Sequence, residues 1–190
     1  MRLKTKWANK NKERSLSELA GALGFTLWRI TAKNLLNLEN EDYQTETQSQ
    51  RLNVMAEFAA FLVAVCDRIV AESFSDDERQ EFIVALALKL ADTMQENRED
   101  CEGRGHDYKQ PFIDFLNQRM AEYAEHSFKD MEPGYGFKRH LGNSLTGVMG
   151  ERHEKWLSAQ VIEIEVPEAM GTLKRAMKSL LGIEFDATPN

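Results

Sequence analysis

Proline is scarce in this sequence. It occurs four times in 190 residues, at positions 111, 133, 167 and 189. None of the four interrupts a long stretch of helical periodicity, so nothing in the chain breaks such stretches from within. Cysteine occurs twice, as Cys66 and Cys101, outside any C-x-x-C pattern. Two thiols exclude a disulfide framework and fit a reducing compartment, so a cytoplasmic location is expected. Long apolar runs are missing too. The longest, residues 58–66, has nine residues, where a membrane span needs about 20. The segment 16–28 is no secretory core, because it contains Ser17, Glu18, Gly21, Gly24 and Thr26 and no clean cleavage site follows.

Catalytic signatures are equally sparse. The four histidines have no glutamate three residues before them, and no His-Glu-x-x-His pattern exists. No serine stands in a Gly-x-Ser-x-Gly elbow. Cys101, Glu102, His106 and Asp107 lie close in sequence, but with two glycines between them they read as a polar loop. Neither metal nor cofactor is expected.

What the chain does have is apolar residues and an uneven charge. Hydrophobic residues make up 42% and charged residues 29%, enough for a packed core. The net charge is −7. Residues 1–38 hold eight basic and two acidic residues, net +6, whereas residues 39–190 carry net −13. An acidic body argues against nucleic acid spread over the whole surface, and leaves the basic segment as a separate question.

Periodicity predicts an all-α fold, a compact bundle of six to eight helices with a basic N-terminal arm. Residues 1–38 form the arm, 39–50 an acidic linker, 51–182 the bundle and 183–190 a frayed tail. Residues 15–38 step through Leu16, Leu19, Leu23, Leu27 and Ile30. They suit either one helix or two with a turn near Gly24. Residues 51–74 are apolar nearly all round, since only Glu57 is polar between 54 and 66, so this is the central helix. Glu57 there either points to solvent or pairs, for instance with an arginine from another helix, and pairing is the preferred reading. Cys66 is expected to be buried and Cys101 exposed. Ser75 and Glu78 have capping-box spacing at the head of the next helix. Pro111 suits a first turn, and further helices follow over 137–149 and 151–162. Residues 161–166 alternate apolar and acidic, but with no partner strand in view a helix end is preferred to a strand. Pro167 and Gly182 bracket the last helix.

Three functional readings come from these residues. The first is a protein that acts by protein–protein contact, as a homodimer and without catalysis. It rests on many apolar helices, eight methionines and no chemical motif. The second is a DNA-binding regulator. Residues 16–36 can be laid on a helix-turn-helix frame, with Gly24 in the turn and Leu19, Leu23 and Ile30 as the clamp. Thr26, Arg29 and Lys33 would then face the groove, with Lys10, Lys12 and Arg14 on phosphates. Lys33 departs from the frame, where an apolar residue is usual. The same basic arm, with Trp7, Phe25 and Trp28, also fits a membrane-surface helix. The third reading is an enzyme or small-ligand binder using a cavity between helices. The glycine-rich loops 103–108 and 132–140 can each build an anionic-ligand site, with Arg104, His106, Tyr135, Arg139 and His140 as candidate residues.

Overall fold

A computed structural model describes residues 14–150 and 154–185, and the basic residues Lys10 and Lys12 and Trp7 lie outside that range. Helix α1 covers Leu16–Asn40, α2 Gln48–Val70, α3 Asp76–Glu102, α4 Lys109–Ala124 and α5 Tyr135–Met149. Helix α6 (Glu154–Gln160) passes through one π turn (Val161–Glu165) into α7 (Val166–Leu181). The backbone stays helical at both joints, so these three make one rod and the described residues form six helices. The all-α bundle expected from periodicity is what the chain adopts.

Helix starts follow local chemistry. The Ser15 hydroxyl accepts from Glu18 N–H at 3.1 Å, and the Glu18 carboxylate accepts from Ser15 N–H at 2.9 Å. Ser75 and Glu78 repeat this capping box on α3, which places the cap where the spacing put it. Thr47 caps α2. Asp107 caps the start of α4, accepting from the N–H groups of Lys109 and Gln110. Each such cap contributes about 1 kcal/mol by satisfying otherwise orphaned donors.

Helix α2 is the core. Every residue from 54 to 66 is buried, and α1, α3, α4 and α5 pack around it. Phe61 meets Tyr123 and Phe137 edge-on at 6.0 and 5.6 Å, while Tyr123 stacks on Phe137 at 4.5 Å. Cys66 is buried, which pushes its thiol far above the ordinary range, and Cys101 is exposed.

Of the two readings left open for residues 15–38, the chain adopts the single helix, Leu16–Asn40. Several other expectations are corrected. Gly24 makes no turn. It lets α1 approach α3, where a Cβ would stand 2.9 Å from Lys89 Cγ. Helix α1 packs on α2, α3 and α7, so Arg29 and Lys33 belong to the bundle rather than to an arm. The linker is shorter than 39–50, because α1 runs to Asn40 and α2 begins at Gln48. The tail is docked at its start, with Ile183 buried and Phe185 under Lys174 Nζ at 5.4 Å. Residues 161–165 are a π turn, neither strand nor simple helix end. A small antiparallel hairpin, Phe128–Lys129 with Glu132–Pro133, joins α4 to α5. Its tip, Asp130 and Met131, has φ of 53° and 56°, the conformation of a tight hairpin turn. Gly134 follows it because a Cβ would lie 2.8 Å from the Ser127 carbonyl oxygen.

Candidate functional site

The π turn has a local cause. Pro167 lies within a continuous helical rod, lacks an N–H, and its ring crowds the carbonyl four residues earlier. Widening the preceding turn relieves that conflict, and Val166 N–H bonds the Val161 carbonyl five residues back. The wider turn rotates the side chains. Ile164 is left 47% exposed while Glu165 becomes fully buried. An apolar residue outside and a carboxylate inside reverse the usual pattern, and such reversals concentrate where a protein gives up stability for function.

Among the described residues no cation forms an ion pair with Glu165. Its two oxygens accept from the side-chain amides of Asn37 and Gln160, both at 3.2 Å. Burial raises its carboxyl above the ordinary range, and the two amide bonds only partly oppose this. One turn further along α7, Glu168 accepts from Lys33 Nζ at 2.9 Å and from Asn37 at 3.3 Å. These bonds hold the Glu168 carboxyl below the ordinary range.

Beside this row lies a cleft of about 340 Å³ between α1 and α7. Thr26, Arg29, Ile30, Lys33 and Asn34 line it from α1, and Glu168, Ala169 and Thr172 from α7. Asn34 is 1% exposed, and its Nδ2 is buried without an acceptor. An unmet buried donor costs about 1–3 kcal/mol, so its presence on a cleft wall calls for an explanation. Arg29 is exposed and has no carboxylate partner among the described residues.

A second polar cluster ties α2, α4 and α5 together. Glu57 is 2% exposed and receives both Nε and Nη2 of Arg119, at 2.8 and 2.6 Å. Arg119 also donates to Glu122 at 2.6 Å, and Glu122 meets His140 Nε2 at 3.0 Å. The bond to Glu57 raises the Arg119 guanidinium further above its ordinary range. Burial works against the charged Glu122, but bonds from Gln118 and Arg119 outweigh it and hold that carboxyl low. The cation expected for Glu57 is thus an arginine from another helix. A groove of about 430 Å³ runs beside this cluster, walled by Phe112, Phe115, Tyr108 and Arg98. Arg98 donates through its two terminal nitrogens to Ser49, Asn53 and Glu102.

The candidate ligand residues of the two loops lie apart. Arg104 and His106 are exposed between α3 and α4, whereas Tyr135, Arg139 and His140 are on α5. The two loops lie at opposite ends of α4, whose 16 residues span about 24 Å. Tyr135 is 67% exposed, Arg139 faces solvent, and His140 is committed to Glu122. Asp107 serves as a helix cap. Among the described residues, no three His, Cys, Asp or Glu side chains are grouped as metal ligands would be. No described helix is long and apolar enough to cross a membrane.

The helix-turn-helix frame is not formed, because α1 is continuous. Three of its proposed base-contacting residues, Thr26, Arg29 and Lys33, share one face of α1 and line the α1–α7 cleft. Arg14 lies outside the cleft, before the α1 cap. The sequence reading therefore found part of this site and assigned it to another chemistry. It missed Asn34, Asn37, Glu165 and Glu168. The available signal was the pair Asn34 and Asn37, polar residues three apart in a leucine-rich helix. In comparisons with known proteins, the chain matches no family model, no curated protein and no solved structure.

Proposed function

We propose that this protein is a small-ligand-binding helical protein whose binding site is the α1–α7 cleft. The observation that carries the reading is the orphaned Asn34 amide on the wall of an open cleft. The cleft volume, about 340 Å³, falls within the range of small-molecule sites. Its apolar floor, Ile30 and Ala169, and its few polar groups match the usual composition of such sites. The role is binding rather than catalysis, and two free thiols fit a cytoplasmic setting.

The test is to fill the cleft. Thr172→Phe places a ring into it from a half-buried position. Ligand-observed NMR with a fragment library should find binders to the native chain that the variant loses. If the variant keeps the same binders, the cleft is not the site.

A second reading, homodimerisation through α1 and α3, is favoured by a different observation. Phe25, Leu36, Val84 and Leu88 are 62%, 51%, 51% and 42% exposed on these two helices. Large exposed apolar side chains of this kind fit a protein contact. Sedimentation equilibrium of the full chain should then show a dimer that Phe25→Glu with Leu88→Glu dissociates. A monomer at all concentrations would remove this reading.

A further inference from the structure

We propose that the ligand class of the α1–α7 cleft is a small carboxylate with a short apolar substituent, an inference that rests on the cleft being a binding site. The charged groups and the floor of the cleft make the argument. Arg29, Lys33 and Glu168 give its lining a local balance of +1 within a chain of net −7. Donors are in excess. The Arg29 guanidinium has no carboxylate partner among the described residues, and Asn34 Nδ2 has no acceptor. Of the three ammonium donors of Lys33, one has an identified acceptor. The lining's own carboxylate, Glu168, is already held by Lys33 and Asn37. A ligand must therefore bring acceptor atoms and negative charge.

The structure also shows what a carboxylate does here. Glu168 sits on Lys33 at 2.9 Å, as a resident anion at one end of the cleft. Arg29 stands one turn before Lys33 on the same face of α1, and a guanidinium takes a carboxylate in a planar, two-bond fork. Asn34 lines the same wall, and its unpartnered Nδ2–H, closed to solvent as it stands, reaches a ligand once the side chain turns toward the cleft. Ile30 and Ala169 line the cleft between its polar groups, and a bare inorganic anion would make no apolar contact with them. A short alkyl or aryl group fills that part of the cleft.

The experiment titrates the full-length, ¹⁵N-labelled protein separately with hexanoate, hexan-1-ol, hexylamine and inorganic phosphate. Amide shifts are followed at residues 26–34 and 168–172. Hexanoate should bind and shift both segments. Arg29→Gln and Asn34→Leu should each weaken it about tenfold, the loss of one charge-assisted or buried hydrogen bond. Glu168→Gln should tighten it, because Lys33 is released from its resident anion. Circular dichroism of each variant establishes that it is folded, and a double check comes from the conservative Arg29→Lys, which should restore part of the affinity. If hexan-1-ol or hexylamine binds as well as hexanoate, and Arg29→Gln changes nothing, the carboxylate assignment is overturned while the cleft stands. Phosphate binding that depends on Arg29, without hexanoate binding, overturns the apolar part. If no fragment and none of these probes shifts either segment, the cleft reading fails together with its ligand.

Discussion

Among the described residues two glutamates are buried, and they are treated in opposite ways. Glu57 meets a guanidinium in a two-bond fork, and that arginine goes on to Glu122, which holds His140. Glu165 meets only two amide N–H groups. The first arrangement gives the buried carboxylate a cation and ties three helices together. The second leaves a carboxylate that favours its proton, next to a cleft with an unmet donor. A buried acid that is paired is a structural tie. A buried acid lodged at a π turn, beside an open cleft, is a place where packing was left incomplete.

The largest test of this contrast breaks the structural tie. Arg119→Met leaves Glu57 buried and unpaired, and should cost about 3–5 kcal/mol in urea unfolding. The double variant Glu57→Leu with Arg119→Met should recover most of that loss. If the single and double variants are equally unstable, the cost lies in packing rather than charge.

Asn34→Leu should act with the opposite sign. It removes a buried donor that has no acceptor, so the ligand-free protein should gain about 1 kcal/mol. A loss of stability would mean that the amide is satisfied in solution.

The two regions should also separate by pH. The Glu165 carboxyl is raised in the folded state, so the folded protein holds that proton more tightly than the unfolded chain. Its contribution is unpenalised below the ordinary value of 4.5, and stability falls as pH rises from 4.5 through the raised folded value. Glu165→Gln should therefore be more stable than the native chain at pH 7 and nearly equal to it at pH 4. Glu122 is lowered, so its contribution is present above 4.5 and lost as pH falls through the folded value. Glu122→Gln should be less stable than the native chain at pH 7, and the gap should close in acid. Thermal melts across pH 3–8 would show the two variants approaching the native curve from opposite sides as the pH falls.

The smallest effect is expected at the exposed rim. The Lys33–Glu168 pair is 62% and 47% exposed, so Lys33→Ala should change stability by less than about 0.5 kcal/mol. A larger loss would move this pair from the rim of the cleft into the supporting structure.

Much of the scaffold was legible because its causes are local. Ser75 and Glu78 announce a capping box by spacing alone, and so do Ser15 and Glu18, a pair the sequence reading passed over. The apolar run of residues 54–66 marks the central helix, and a carboxylate such as Glu57 within it is costly unless it pairs or reaches solvent. Gly182 ends α7 in a left-handed conformation, with φ of 67°, as a helix-stopping glycine does. The misread positions are those where a residue answers to a distant neighbour. Gly24 signals a turn to anyone reading α1 alone, yet it is there for the passage of Lys89. Pro167 signals a helix start, yet it widens a turn within a continuous helix and turns Glu165 inward.

The sequence by itself therefore determined an all-α bundle, its central helix and most helix ends. Helix propensity, caps and apolar periodicity act within a few residues along the chain. Tertiary structure alone decided that Thr26, Arg29, Lys33 and Asn34 face Glu168 and Thr172 across a cleft. Those two groups stand more than 130 residues apart in sequence, and Lys33 and Glu168 are separated by 135. The physical reason is that a cleft is unfilled space between two packed helices. It depends on how closely α1 and α7 approach, which no local pattern encodes.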